Sequence, residues 1–411
     1  MAADIYQHSF PNGLTLLAER MEHVRSAAVN FLIPAGCVYD PPERAGISTI
    51  LAELLTRGAG ERDSRELTLA LDNLGLDRSE SAGSMHSRLA GATLARNLPQ
   101  VLDIYADILL RPHLPEDELD PVRSLALQDL AAIEDEPRQK VMLELRKRHY
   151  PAPLSNDRRG TEEGLNAITS KDVRQHFERH FHPNGAIISV AGSIEWQPLK
   201  DQIGRLFGEW KKGPAEANGF GPSKTIREHI SKETTQTQIG IAYPSVPVGH
   251  ADYYHALGAV NILSGGMSSR LFTHVREERG LCYAVFASYS TFKDRASVLA
   301  YAGTTNERAQ ETLDVTLGEL KRLVDGIETD EVERVQAGLK SSLIMQEEST
   351  GARAGSLASD WYYLGRVRTS DEIKAAIDGL SSSSIIEHLK RYPAKDFTVV
   401  TLGPKALEVK S

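Results

Sequence analysis

The chain has 411 residues, more than one ordinary core accommodates, so two domains of the usual ~100–200 residues are the first expectation. Its 41% hydrophobic and 25% charged residues suit a globular protein, and a net charge of -9 with no concentrated basic patch excludes a surface built for nucleic acid or an anionic membrane. The opening residues Met1 to Gln7 lack the basic and apolar regions of a secretory signal, and no stretch approaches about 18 uninterrupted apolar residues, so a cytoplasmic location is expected.

In chain order, alternating or apolar runs predict strands at Leu14 to Ala18 and Ala27 to Leu32. Helical periodicity follows at Ile47 to Thr56 and Ser64 to Leu74, a strand at Ser84 to Gly91, and helices at Leu98 to Leu110 and Pro115 to Glu134. A strand at Ala186 to Gly192 precedes a segment broken by Gly and Pro, Gly208 to Ser223, which reads as a linker. Beyond it lie strands at Gln236 to Tyr243, Tyr283 to Tyr289, Ser297 to Ala302 and Phe397 to Gly403. Helices are predicted at His250 to Leu263, Ala309 to Gly326 and Thr329 to Glu347. Strands come in adjacent pairs, which favours α+β over a doubly wound parallel sheet.

The two halves repeat each other. Asp117-Glu118-Leu119 opens a long helix in the first, and Asp330-Glu331-Val332 opens one in the second, 213 residues on. Ile168, Val173, His176 and Arg179 match Leu380, Ile385, His388 and Arg391 at 212, and the last strands of each half match at 211. A slowly drifting offset with preserved order indicates a duplicated domain. The boundaries read as a first domain at 1–212, a linker at 213–224 and a second domain at 225–411.

Ile47, Ile50, Leu51, Leu54 and Leu55 form one apolar stripe, with Thr49, Ala52, Glu53 and Thr56 facing the other way. With its leading Gly46, this segment resembles the metal-binding helix of the pitrilysin and insulinase-type (inverzincin) zinc peptidases. In that family two histidines and a glutamate in H-x-x-E-H bind zinc and activate its water. The matching positions are Thr49, Ala52 and Glu53, and the family's third ligand, a later glutamate, falls on Asp129. A hydroxyl, a methyl and two carboxylates make a poor zinc set, so the resemblance implies a degenerate site and no metal or cofactor in this chain.

In the second half, Ser264-Gly265-Gly266-Met267-Ser268-Ser269-Arg270-Leu271-Phe272 leads into Val275-Arg276-Glu277-Glu278-Arg279-Gly280-Leu281-Cys282-Tyr283. This is similar to the family's C-terminal signature, whose arginine and tyrosine bind the substrate backbone and the oxyanion in a facing zinc domain. Arg276 and Tyr283 are the matching pair. Gly280 between them suits a helix end, which would place Tyr283 on the next strand. Gly265 and Gly266 read either as a helix-helix connection or, by the resemblance, as a substrate-contacting loop. His176 and His180 stand one turn apart without the rest of a zinc motif, and the second half repeats the segment without its second histidine, so they read as architectural. Asn306 to Arg308 and Glu347 to Arg353 look like family positions bordering the C-terminal cleft, or equally like solvated helix ends. Cys37 and Cys282 lack any metal spacing and read as buried thiols.

The resemblance covers nearly the whole chain, including His8 to Leu14 and Gly160-Thr161-Glu162. It implies two homologous α+β domains, each a mainly antiparallel sheet packed with helices, arranged as a clamshell. It further implies a non-catalytic subunit of a heterodimeric zinc metallopeptidase, completing the site of a zinc-bearing homologous partner that hydrolyses peptides; a homodimer can be built from the same domains. The alternatives are a structural or peptide-binding scaffold with no role in catalysis, and a self-sufficient hydrolase with an unrecognised site.

Overall fold

The computed structural model describes residues 4–214 and 219–409, so residues 215–218 of the expected linker lie outside them. In chain order the elements are β1 (Asp4–Ser9), β2 (Thr15–Arg20), β3 (Ser26–Ile33), α1 (Ile47–Leu54), α2 (Ser64–Asn73), β4 (Asp77–Ala82), β5 (Ser87–Leu94), α3 (Leu98–Leu110), α4 (Leu119–Ala132), α5 (Pro137–His149), α6 (Glu162–Ala167), α7 (Ser170–His180), β6 (Ile187–Gly192) and α8 (Trp196–Phe207). Then follow β7 (Arg227–Ser231), β8 (Gln236–Ser245), α9 (Tyr253–Ser264), β9 (Cys282–Thr291), β10 (Ala296–Thr305), α10 (Ala309–Arg322), α11 (Thr329–Glu348), α12 (Thr350–Leu364), α13 (Ser370–Asp378), α14 (Ser382–Arg391) and β11 (Thr398–Gly403).

One sheet runs β1-β2-β6-β3-β5-β4 and the other β7-β11-β8-β10-β9. Apart from β1 the two orders coincide, and so do the directions. The pairs β2·β6 and β7·β11 are parallel, and every other pair is antiparallel. The chain is thus α+β with a repeated architecture. The polar edge strand β4 (Asp-Arg-Ser-Glu-Ser-Ala) and the short β1 and β7 were missed in the sequence, because an edge strand solvated on one face carries little apolar signal.

By packing, the chain forms two compact units, each discontinuous in sequence. One holds residues 1–132, 152–220 and 346–362; the other holds 133–151, 221–345 and 363–411. The segment carrying α5 therefore packs with the second sheet, and that carrying α12 with the first. In the second unit Val141 and Leu145 of α5 are fully buried against Ala242, Leu299, Tyr301, Val400 and Leu402. Burial of that kind stabilises by about 1.5–3 kcal/mol per side chain. His149 at the end of α5 is buried between Thr398 and Ser297. In the first unit Arg353 of α12 pairs with Glu19 of β2, and Ser189 of β6 donates to the Ala354 carbonyl at 2.7 Å. The exchange explains why β6 and β11 are buried along their whole lengths. A sheet covered on both faces needs apolar residues on both.

The remaining faces carry the two main cores. The first joins β2, β3, β5 and β6 to α1, α2, α3, α4, α7 and α8, and the second joins β8, β10 and β11 to α9, α10, α11 and α14. Cys37 and Cys282 are buried free thiols.

Candidate functional site

Helix α1 packs against α4, α7 and β4, and this position decides the surroundings of the degenerate motif. Thr49 donates its hydroxyl to the Arg158 carbonyl at 2.5 Å. Ala52 is only 5% exposed, which corrects the expectation that it faces away from the core: the neighbouring elements close over that side of the helix as well. Glu53 and, on α4, Asp129 are exposed. The Thr49 hydroxyl hydrogen is already committed, and the two carboxylates lack an imidazole beside them, so this donor set does not fit zinc. Among the described residues, no group of three His, Cys, Asp or Glu side chains is arranged to hold a metal ion. A carboxylate that the sequence did not single out, Glu80 of β4, pairs with Arg78 at 3.0 Å. Burial raises its pKa, and the charge of Glu53 adds to the rise.

The start of α1 is held by a buried polar node. Asp40 accepts from the backbone amides of Gly46 (2.9 Å) and Ser48 (3.3 Å) and from the Ser48 hydroxyl. The same hydroxyl lies 3.1 Å from His176 Nε2. With its hydrogen on Asp40, Ser48 receives the Nε2–H of a neutral His176. Burial pushes Asp40 up to about 6 and drops His176 to about 3, the latter helped by His180 and Arg179. This is not a nucleophilic triad: the carboxylate holds the serine rather than the histidine, and all three groups are buried. His176 and His180 are thus architectural, with ring centroids 4.5 Å apart. The loop around Gly160 completes the support, since a Cβ there would fall 2.1 Å from the Ala45 carbonyl oxygen, just before α1.

The second unit contains a different kind of site. Phe272 to Glu277 form a π-helical turn, marked by the Glu278 amide donating to the Thr273 carbonyl at 2.9 Å. Gly280, at φ +59°, then turns the chain into β9, and its carbonyl accepts from Arg308. The register of β9 against β10 shifts there: Cys282 pairs with Thr304 and Ala284 with Gly303, leaving Tyr283 as the extra residue of a bulge. A bulge re-aims a side chain, and Tyr283 is 80% exposed. The π turn and the bulge bring the two expected residues together, with the Arg276 guanidinium carbon 4.6 Å from the Tyr283 ring centroid. The Arg276 side chain is 32% exposed.

Gly265 and Gly266 end α9 and line a hollow of about 200 Å³ with Asn261, Met267, Glu331 and Arg334. Asn306 is spent locally, its amide oxygen accepting from Thr237 at 2.8 Å and its amide nitrogen donating to the Thr234 carbonyl. Arg353 borders no cleft of the second unit; it is buried in the first unit on Glu19. The sequence pattern assigns no role to Phe272 and does not single out the Asp40–Ser48 node. For the node a signal existed, because Asp40 and His176 recur as Asp252 and His388, both 212 residues on and 3.5 Å apart.

Comparison with known proteins gives matches over most of the chain. Residues 15–162 match the family model described as insulinase (peptidase family M16), and residues 167–339 match that of the peptidase M16 inactive domain. The uncharacterized zinc protease YmxG of Bacillus subtilis is 29% identical over 97% of this chain and 98% of its own length. An uncharacterized zinc protease of Rickettsia felis is 26% identical over 96% and 97%. Among solved structures, a peptidase M16 inactive domain from Pseudomonas fluorescens superposes with a TM-score of 0.91 at 20% identity, covering 99% of each chain. A protease from Helicobacter pylori gives 0.89 at 18% identity over 98% and 100%.

Proposed function

The chain belongs to the M16, or insulinase-like, peptidase family, and on that premise we propose that it is the non-catalytic subunit of a heterodimeric zinc metallopeptidase. The observation that carries this reading is the contrast between its two units. One has the family's metal helix without a zinc-compatible donor set; the other carries a solvent-accessible Tyr283 with a half-buried Arg276 against its ring.

A zinc ion held by the partner subunit would supply Lewis-acid chemistry and an activated water in the assembled enzyme. This chain's part is binding and charge stabilisation. Tyr283 donates its phenolic O–H to the oxygen that gains charge as the carbonyl becomes tetrahedral. Arg276 holds a neighbouring backbone carbonyl of the peptide. The outer side of β9 is unpaired among the described residues, so an extended peptide has a strand edge on which to align. Gly265 and Gly266 give a second backbone-lined surface beside the hollow.

The test compares hydrolysis of a probe peptide by the chain alone, by its complex with a zinc-bearing homologue, and by the complex carrying Tyr283→Phe. The chain alone is expected to be inactive, and the variant to lose roughly 10²–10³-fold in kcat, the usual cost of one oxyanion donor. Full activity without a partner, or an unimpaired variant complex, would sink the reading. Stoichiometric zinc in the pure chain would instead favour a self-sufficient hydrolase. A scaffold role is less well supported, because Arg276 and Tyr283 are neither buried nor consumed by core packing.

A further inference from the structure

Arg276 is supported through its face. Its guanidinium carbon lies 4.6 Å from the Phe272 ring centroid as well as 4.6 Å from that of Tyr283. Its charged neighbour is Glu277, at 3.6 Å, and among the described residues its side chain donates no hydrogen bond to another protein group. A guanidinium held by aromatic faces keeps its in-plane fork of N–H donors free. Phe272 is not a core residue: Leu271 and Val275 on either side of it are buried in the second unit's core, while Phe272 remains outside it. The four-residue spacing within the π turn sets the ring under the Arg276 side chain.

We propose that Phe272 is a positioning residue that fixes Arg276 against Tyr283 with its donor edge turned out, ready for a planar acceptor such as a peptide carbonyl. The substrate half of this proposal rests on the peptidase reading above; the hold of Phe272 on Arg276 does not. A hydrogen-bonded carboxylate in place of the ring would occupy the fork and leave less of it for substrate, which is the physical reason for an aromatic support here.

Two measurements test it. In the isolated chain, with arginine side chains labelled with ¹⁵N, the Arg276 Nε–H resonance reports the ring currents of its neighbours. Phe272→Leu is expected to move it toward the free-arginine position, and Phe272→Tyr to leave it in place, with the thermal midpoint unchanged in both. In the complex with a zinc-bearing homologue, Phe272→Leu is expected to raise KM for a probe peptide by roughly 10-fold with little change in kcat, and Phe272→Tyr to restore it. A resonance unmoved by Phe272→Leu overturns the proposal outright. So does normal hydrolysis by the Phe272→Leu complex where Arg276→Ala impairs it. If Arg276→Ala itself costs nothing, the peptidase reading fails together with the substrate half, and the resonance still decides whether Phe272 holds Arg276.

Discussion

His149 has no exposed surface, and its two ring nitrogens meet two hydroxyls: Nδ1 lies 3.1 Å from Thr398 Oγ1 and Nε2 lies 2.8 Å from Ser297 Oγ. Thr398 gives its own hydrogen to the Lys224 carbonyl, so it accepts from Nδ1–H, and Ser297 donates to Nε2. The ring is therefore neutral, and burial drops its pKa to about 4. Because the folded value lies below the ordinary 6.5, the unfolded chain takes up a proton that the folded chain refuses. Stability from this site is complete above pH 6.5 and is lost as pH falls to about 4. His176, at about 3, acts in the same direction, whereas Asp40, raised to about 6, acts in the opposite one. Its cost is present above pH 6 and is relieved as pH falls toward 3.8, so the two members of the α1 node offset each other between about pH 4 and 6. His149 has no such counterweight. His149→Gln is expected to flatten the slope of unfolding free energy against pH between 6.5 and 4 by up to about one proton, or ~1.4 kcal/mol per pH unit. Denaturant titrations at several pH values measure it, and an unchanged slope would show that His149 does not set acid sensitivity.

At the scale of elements, α5 and α12 matter most, since each covers the sheet built mainly by the other half of the chain. Arg353 on α12 enters the first unit as a buried cation, and Glu19 on β2 is its counter-ion. Removing one partner leaves a buried charge unpaired, a loss of about 3–5 kcal/mol, whereas exchanging both for apolar residues is far cheaper. Arg353→Ala is accordingly expected to lower the denaturation midpoint sharply, and the double change Arg353→Met with Glu19→Leu to recover most of that loss. Equal losses in the single and double variants would contradict this account. In the sequence, Glu347 to Arg353 read either as family positions bordering the C-terminal cleft or as a solvated helix end. A salt bridge between residues 19 and 353 has no sequence signature, because what pairs them is the path of the chain. Tyr283 illustrates the same limit. The Arg276–Gly280–Tyr283 spacing is legible; the π turn, closed by Glu278 on Thr273, and the bulge, set by pairing of β9 with β10, are not written in that spacing.

For the whole molecule, the coincidence of strand orders β2-β6-β3-β5-β4 and β7-β11-β8-β10-β9 is the spatial form of the 211-to-213-residue sequence offset. The recurrence of Asp40 and His176 as Asp252 and His388 carries the repeat down to buried polar residues. Each half nevertheless gives up a helix-bearing segment to the other unit. A fragment of residues 1–212 lacks Arg353 and the rest of α12, so Glu19 and one face of β6 lose their cover. It is expected to show no cooperative thermal transition alone and to regain one when co-expressed with residues 221–411. A cooperative transition in the isolated fragment would refute the dependence.

The sequence by itself determined the fold class, the duplication and its offset, and the family, and it singled out Thr49, Ala52, Glu53 and Asp129 as positions of a degenerate metal site and Arg276 and Tyr283 as the pair to test. Fold class and duplication are written in periodicity and in an ordered repeat, and the family and the site positions in a motif resemblance. Tertiary structure alone decided that Ala52 is buried, that α5 and α12 change units, that Phe272 lies against Arg276, and that Asp40, Ser48 and His176 meet. Apart from the local Phe272–Arg276 contact, which needs the π turn, each of those is a contact between distant segments. Such contacts follow from how apolar faces close on each other, and a one-dimensional pattern states which face is apolar without stating what it meets.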